Sequence, residues 1–246
     1  MNYLEHIGKY FIMLGRVFKK PQRSKVFYEA LLREIEDLGL KSLGIIMFIS
    51  FFIGGVISLQ TALNLESPFI PKSLIGFAAK RSIILEFAPT FCSIILAGKV
   101  GSYITSSIGS MRVTEQIDAL EVMGINSLNY LVLPKIIATV FFYPFLISLG
   151  MFLGIFGGLI AGVYGGFVSL DEFIRGLQED FIPFHLVYAF VKTYVFAFIL
   201  ATVPAWHGYY MKGGALEVGK ASTKSFVWTS VLIILANYII TQLLLS

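Results

Sequence analysis

Three acidic residues recur at intervals of three in the stretch RVTEQIDALEVMGIN, residues 112–126: Glu115, Asp118 and Glu121. Thr114 is predicted to cap a helix that runs from Glu115 to Met123, and Gly124 is its predicted C-terminal stop. In this helix the spacing places the three carboxylates on one arc, while the opposite arc carries Ile117, Leu120 and Met123. So short a helix is not stable in isolation, so we expect it to dock on a partner. An ordinary solvated loop helix on the membrane surface is the alternative.

Three charged side chains interrupt long apolar runs elsewhere: Glu86, Lys99 and Lys192. Charges inside a membrane span are costly and are therefore functional candidates by default. Glu86 and Lys192 are predicted at similar depth near the outer ends of two spans, where they form an ion pair or share a lipid headgroup. A purely structural ion pair remains the alternative. Lys99 lies nearer the cytoplasmic end and can snorkel to the interface.

The chain carries no motif for nucleotide or metal chemistry. LAGKVGS contains Gly98 and Lys99, but it lacks the upstream glycine of a phosphate-binding loop, and Val100 follows the lysine. The three histidines stand far apart in sequence and suggest no metal site: His6, His185 and His207. We therefore expect a non-catalytic chain that binds no cofactor or metal.

The elements that must position these residues are membrane-spanning helices. Hydrophobic residues make up 57% of the 246 and charged residues only 14%, with a mean hydropathy of +0.80. Apolar runs long enough to cross a bilayer cover 43–65, 83–108, 131–166, 185–206 and 226–246. The third exceeds the bilayer, and Pro134 and Pro144 predict an interfacial lead-in before one tilted span. The sequence predicts an all-α integral membrane protein with about five spans.

Lysine and arginine placement predicts the orientation of these spans. Residues 1–41 hold eight of these cations and 207–225 hold three, whereas on the opposite side 66–82 hold three and 167–184 hold only Arg175. The N-terminus is therefore predicted to be cytoplasmic, and the acidic stretch at 112–126 falls on the same side. Anionic lipids of that leaflet would repel an acidic helix, which favours a protein partner for it.

The N-terminal region is predicted to be amphipathic and interfacial. Apolar residues follow helical spacing at Leu4, Ile7, Phe11, Leu14 and Phe18. A basic amphipathic helix of this kind suits a membrane surface, although a groove on a soluble partner is the alternative. A second amphipathic stretch leads into the first span, so residues 1–42 are predicted as a segment distinct from 43–246.

Small residues recur in the third span in two rows. Glycines stand at every fourth position, at 150, 154, 158, 162 and 166, and a second row holds Gly157, Ala161 and Gly165. Such rows let helix backbones approach closely in lipid. They predict helix packing and no phosphate site.

The segment EFAPTFCSIILAGKVGSYITSSIGSMRVTEQIDALEVMGIN, residues 86–126, resembles the signature of MlaE/YrbE-type permeases. The matching positions are Glu86, Pro89, Ala97, Gly98, Lys99, Gly101, Gly109, Met111, Val113, Thr114, Glu115, Gln116, Asp118, Ala119, Leu120, Met123 and Gly124. The resemblance continues into GGALEVGKASTKSFV, residues 213–227. The chain departs from the family pattern at Leu85, often Arg, at Ser107, often acidic, and at Asn237, usually Asp.

The resemblance implies the permease subunit of an ABC-type system that moves phospholipids between the inner and outer membranes of Gram-negative bacteria. It implies a permease domain at 43–246 and a coupling helix at 114–124, which docks on a cytoplasmic ATPase that binds ATP and Mg²⁺. The docking residues would be Glu115, Gln116, Ile117, Asp118, Leu120 and Met123. Further implied partners are a second copy of the chain, a membrane-anchored periplasmic MCE lipid-binding protein and a small cytoplasmic accessory subunit, with no nucleic acid.

A phospholipid site needs polar groups for the head and an apolar surface for the tails. Lys192, held by Glu86, is the predicted headgroup cation. The predicted tail surface consists of Phe52, Val56, Leu59, Ile234 and Tyr238. Two other classes stay open: a membrane-embedded lipid-modifying enzyme, and a secondary transporter, although five spans do not divide into two equal repeats.

Overall fold

The computed structural model describes residues 3–18, 24–65 and 71–245, and all the regular secondary structure in these ranges is helical. We number the helices in chain order. α1 is Tyr3–Val17; α2 joins Ser24–Glu34 through Ile35–Gly39 and Leu40–Ser42 to Leu43–Asn64; α3 is Ser73–Val113; α4 is Gln116–Val122; α5 is Ser127–Tyr164; α6 is Leu170–Gln178; α7 is Pro183–Tyr209; and α8 is Ala215–Leu245.

Five of these helices, α2, α3, α5, α7 and α8, are long and apolar enough to cross a membrane, which confirms the predicted all-α membrane fold. All five begin before the predicted apolar runs, and α3 and α7 also end beyond them, because less apolar flanks continue the same helices. α3 contains two π-helical segments, Ile83–Phe91 and Ala97–Gly101. The first holds Pro89, and a wider turn is one way for a helix to continue past a residue that lacks a backbone N–H.

The third membrane-spanning helix is continuous. α5 runs without interruption for 38 residues through Pro134 and Pro144, a length of about 57 Å at 1.5 Å per residue. Proline is tolerated in membrane helices where neighbouring groups satisfy the freed backbone. One helix therefore covers both the predicted interfacial lead-in and the tilted span, and the part of it that lies at the interface stays a prediction.

The chain forms two compact units whose boundaries fall within or beside the long helices. One unit contains 1–42, 94–143 and 195–236, and the other contains 43–93, 144–194 and 237–246. A boundary does occur at 42/43, but residues 1–42 share their unit with later parts of the chain. The division into an interfacial segment and a permease domain stays a prediction.

α1 is attached by one side and leaves its other side uncovered. Met13 and Val17 are fully buried, and Asn129 donates a hydrogen bond to the Val17 carbonyl at 2.7 Å. The predicted apolar stripe is largely exposed at Ile7, Phe11 and Phe18, with Leu14 half-buried and the side chain of Leu4 outside the described part. An exposed apolar stripe is what an interfacial helix requires, although its placement at a membrane stays a prediction.

The glycine rows pack α5 against the Leu43–Asn64 part of α2, as predicted. Added Cβ atoms would collide with backbone at Gly54, which faces the Gly154 carbonyl, and at Gly157, which faces the Phe51 carbonyl. A Cβ at Gly158 would collide with the Ser58 hydroxyl. Three other glycines of the rows do not share this role. Gly162 faces Val168 and Gly165 faces Phe167, while Gly166 lies beyond the end of α5 with a φ of +74°, in the turn that follows.

α6 packs closely on the Ser73–Ser82 part of α3 through a second pair of glycines. A Cβ at Gly76 would strike the Phe173 carbonyl, and a Cβ at Gly176 would strike the Ser73 carbonyl. Ser169 caps α6 and exchanges hydrogen bonds with Glu172, and these bonds hold the pKa of the Glu172 carboxyl below its ordinary value.

Candidate functional site

The short helix predicted at 114–124 is present as α4, but it begins differently from the prediction. The Thr114 hydroxyl donates back to the Ser110 carbonyl at 2.9 Å, so Thr114 ends α3 and does not cap α4. Glu115 has a left-handed backbone with a φ of 58° and makes the sharp turn between the two helices. Thr114 was misassigned because a threonine hydroxyl bonds a carbonyl four residues back as readily as a following N–H.

The end of α4 agrees with the prediction. Gly124 has a φ of +74°, its N–H donates to the Glu121 carbonyl at 2.9 Å, and the Ile125 N–H donates to the Leu120 carbonyl at 3.0 Å. This pair of bonds is the Schellman ending that a glycine after a helix predicts.

Three contacts fix α4 to the rest of its unit. Ile117 is fully buried. The Glu121 carboxylate accepts hydrogen bonds from the Tyr209 hydroxyl at 2.8 Å and from the Ser127 hydroxyl at 3.0 Å. Asp118 pairs with Arg112 at 2.8 Å in an exposed ion pair. A helix that is too short to be stable alone is thus held in one position.

These contacts change which residues a partner could meet. Ile117 was predicted in the docking ridge, but its burial makes it an anchor, and Leu120 is half-buried. Val122 is 89% exposed and Met123 is 65% exposed. The sequence prediction did not include Val122, because it assigned only Ile117, Leu120 and Met123 to the apolar arc. Glu115 and Gln116 are exposed beside them.

The predicted pair of Glu86 and Lys192 is formed in the other unit. Lys192 Nζ lies 2.7 Å from Glu86 Oε1, donates to the Leu85 carbonyl at 3.2 Å, and stands 4.3 Å from the centroid of the Tyr188 ring. Asn237 donates from its side-chain amide to Glu86 Oε2 at 3.0 Å. The ion pair therefore joins α3, α7 and α8 at one point.

Four further polar residues complete this cluster: Thr90, Tyr188, Asn237 and Thr241. The Tyr188 hydroxyl donates to Glu86 at 3.1 Å, and the Thr90 hydroxyl donates to the side-chain amide oxygen of Asn237 at 3.1 Å. Each helix contributes a pair at i and i+4, namely Glu86 and Thr90, Tyr188 and Lys192, and Asn237 and Thr241. Polar pairs at this spacing within apolar spans could have predicted the cluster.

The two charged members differ in accessibility. The Lys192 side chain is completely buried, whereas 38% of the Glu86 side chain is exposed. Lys192 is therefore not available as the headgroup cation that the sequence predicted, because its ammonium is enclosed by protein. The accessible polar edge is the carboxylate, and the neutral Asn237 leaves the cluster with one charge of each sign. The Lys99 ammonium does not extend freely to the interface as predicted, because it donates a hydrogen bond to the Lys41 backbone carbonyl.

The predicted tail-contact residues lie on exposed helix surfaces. Phe52 and Val56 on α2 are 55% and 60% exposed, and Ile234 and Tyr238 on α8 are 53% and 68% exposed. Leu59 is half-buried. Exposed apolar side chains in membrane helices need lipid or another helix as neighbours, and contact with a transported lipid stays a prediction.

Comparison with known proteins bears on both sites. The model of the family described as permease MlaE matches residues 31–243. A probable ABC transporter permease protein of Rickettsia bellii is 33% identical over 239 residues, which cover 97% of this chain and 92% of the relative. The intermembrane phospholipid transport system permease protein MlaE of Haemophilus influenzae is 29% identical over 235 residues, 95% of this chain and 89% of the relative.

A plant relative extends the comparison. The chloroplastic protein TRIGALACTOSYLDIACYLGLYCEROL 1 of Arabidopsis thaliana is 28% identical over 233 residues, 94% of this chain and 66% of the relative. The family match begins within α2 and ends within α8, so it includes all five membrane-spanning helices, the short helix α4 and the Glu86 cluster. With that extent of agreement, the chain belongs to the MlaE permease family.

Proposed function

We propose that this chain is the membrane-spanning subunit of an ABC-type system that moves phospholipids between the inner and outer membranes of a bacterium. In this proposal the chain itself is not catalytic, and a separate cytoplasmic ATPase binds ATP and Mg²⁺. The Haemophilus influenzae relative is named for intermembrane phospholipid transport. The distribution of lysine and arginine supports a cytoplasmic N-terminus in the inner membrane.

The observation that carries the proposal is the geometry of α4. It is anchored by Ile117 and Glu121, yet it exposes Glu115, Gln116, Val122 and Met123. A rigid helix with a mixed polar and apolar exposed surface is suited to transmit movement from a docked subunit, because anchoring prevents it from moving independently. We therefore place the ATPase contact on this surface.

Lipid binding is proposed between two copies of the chain. In the most apolar 18-residue stretch of α8 only 11% of the residues are buried, whereas 56% are buried in the corresponding stretches of α3 and α7. A second copy covering α8 would explain this difference, and its exposed apolar residues would line a space for acyl chains. A membrane-anchored MCE protein and a small cytoplasmic accessory subunit complete the proposed system.

Reversing the charge at Glu115 tests the coupling contact. In Glu115→Lys we expect the chain to insert and fold normally, because Glu115 is exposed and lysine tolerates the left-handed backbone no worse than glutamate. Binding of the ATPase should weaken about tenfold through the altered charge at the interface. The measurement is co-purification of the ATPase, with lipid-stimulated ATP hydrolysis by the recovered complex.

Glu29→Lys is the matched control, because Glu29 is an exposed acid of α2 predicted on the same side of the membrane. It should leave ATPase binding unchanged. Equal ATPase binding and activity in Glu115→Lys and the control would show that α4 does not couple the subunits.

A further inference from the structure

A small basic pocket lies at the ends of α3 and α7, apart from the residues of the Glu86 cluster. Its polar lining consists of Lys80, Arg81, Asp180 and His185, and its volume is about 280 Å³ including the open mouth. That figure includes open solvent, and the space inside the pocket that a water molecule can occupy is only about 20 Å³, little more than the roughly 10–15 Å³ that holds one water. The space therefore suits a compact polar group and not a whole lipid.

Lys80 gives the pocket a fixed buried charge. The residue is only 8% exposed, and its ammonium donates to the Glu179 carbonyl at 2.6 Å and to the Leu177 carbonyl at 3.1 Å. An ammonium has three donors; two of them bind these carbonyls, and the centroid of the Phe77 ring lies 5.2 Å from the same Nζ. Leu177 lies at the end of α6, and Glu179 follows that helix. α6 itself packs on α3 through Gly76 and Gly176.

The pocket lining carries more positive than negative charge, although the Asp180 and Glu179 carboxylates both act electrostatically on the Lys80 ammonium. Within the described ranges, neither Lys80 nor Arg81 forms an ion pair with a carboxylate. Arg81 is exposed at the pocket, and Asp180 is its only acidic lining residue, so the lining has a net positive charge with His185 neutral. His185 also lies in the first turn of α7, where the helix dipole adds positive potential.

The surroundings of the pocket are apolar. Phe181 and Ile182 also line it and are 57% and 37% exposed. Phe184, two residues later, is 46% exposed. A cationic recess bordered by exposed apolar side chains matches a group with a charged head and attached apolar chains, because each part then meets a surface of its own kind.

From these observations we propose that the Lys80–Arg81–His185 pocket binds a phosphate group, supplied by a phospholipid headgroup whose acyl chains remain outside it. Arg81 would bind the phosphate oxygens through its guanidinium, and Lys80 would contribute a buried fixed charge. This inference rests on the proposed function, since it assigns the phospholipid a second contact point at the outer ends of the spans.

Arg81→Gln is the main test, because Arg81 is exposed and its replacement should not impair folding. The assembled transporter is stripped of lipid in detergent and offered dioleoylphosphatidylglycerol, dioleoylglycerol or inorganic phosphate in separate samples. Bound lipid is measured by mass spectrometry and bound phosphate by equilibrium dialysis. We expect Arg81→Gln to lower the affinity for phosphatidylglycerol about tenfold, as loss of a charge-assisted contact does, and to leave any binding of dioleoylglycerol unchanged.

Arg175→Gln is the matched control, since Arg175 is an exposed cation of α6 outside the pocket lining. If inorganic phosphate binds as tightly as the lipid and also depends on Arg81, the site is supported with the free anion as its ligand. If Arg81→Gln and His185→Gln both bind phosphatidylglycerol as tightly as Arg175→Gln does, the pocket is not a phosphate site. The proposed function is tested separately in the same preparations, by whether the ATPase co-purifies with the wild-type chain. Its absence would contradict the proposed function and would leave the result for the pocket unaffected.

Discussion

The Gly54→Ala variant is expected to lose more stability than a Gly→Ala variant at any other glycine within the described helices. The new Cβ would overlap the Gly154 carbonyl of α5, and a backbone atom cannot turn aside as a flexible side chain can. Overpacking typically costs about 1–3 kcal/mol, and separating two helix backbones belongs at the upper end. The measurement is the thermal unfolding midpoint in detergent, together with the yield of folded protein.

Gly44→Ala is the control on the same helix. A Cβ at Gly44 meets nothing within 4 Å, and alanine stabilises a helix relative to glycine by up to about 1 kcal/mol. Gly44→Ala should therefore melt at or above the wild-type temperature. Gly158→Leu should be at least as harmful as Gly54→Ala, because its side chain would enter the space of Ser58 and the Gly54 carbonyl. Unchanged melting in Gly54→Ala would mean that α2 and α5 are not packed at this distance.

Hydropathy identified the spans, but it could not locate where the helices begin and end. α2 continues from an amphipathic flank into the apolar run through Ile35–Gly39 and Leu40–Ser42, so the change in composition at residue 43 marks no break in the helix. Backbone hydrogen bonding, which composition does not report, decides that continuity. The same reason explains α5, where the effect of Pro134 and Pro144 depends on neighbouring groups that no sequence window contains.

Charge patterns predicted the two members of the ion pair, because an unpaired charge inside an apolar span has a large energetic cost. They could not predict which member would be accessible. That depends on the Tyr188 ring and the Leu85 carbonyl, which enclose the Lys192 ammonium, and these are tertiary contacts. At the start of α4 the prediction failed for a local reason. The Thr114 hydroxyl can bond either the Ser110 carbonyl or a backbone N–H of α4, and residue spacing does not choose between these two partners.

The second large effect is expected at the Glu86–Lys192 pair, and it should be asymmetric. Glu86→Gln leaves the fully buried Lys192 ammonium without its counter-charge, and breaking a buried pair in this way costs about 3–5 kcal/mol. Lys192→Met leaves Glu86 with hydrogen bonds from Asn237 and Tyr188 and with partial exposure. Its cost should therefore be smaller. Unfolding midpoints of the two variants in detergent measure the difference.

The double variant Glu86→Gln/Lys192→Met should be more stable than Glu86→Gln alone, because it contains no uncompensated buried charge. The exposed Glu217–Lys220 pair on α8 is the matched control, since removing an exposed ion pair changes stability by about 0–1 kcal/mol. Equal destabilisation by the two single variants would show that Lys192 is solvated in the membrane and not enclosed.

Lipid content distinguishes a lipid site from a structural ion pair at the same position. If the accessible edge of Glu86 contacts the headgroup, Glu86→Gln, Lys192→Met and the double variant should all lose co-purified phospholipid, while binding of the ATPase through α4 is retained. The loss in the double variant should not exceed that of the worse single variant, because the two residues act as one unit. Because the double variant has no uncompensated buried charge, its lipid content is not confounded by instability. Normal phospholipid per chain in the double variant, measured by mass spectrometry, would therefore assign the pair to helix packing alone.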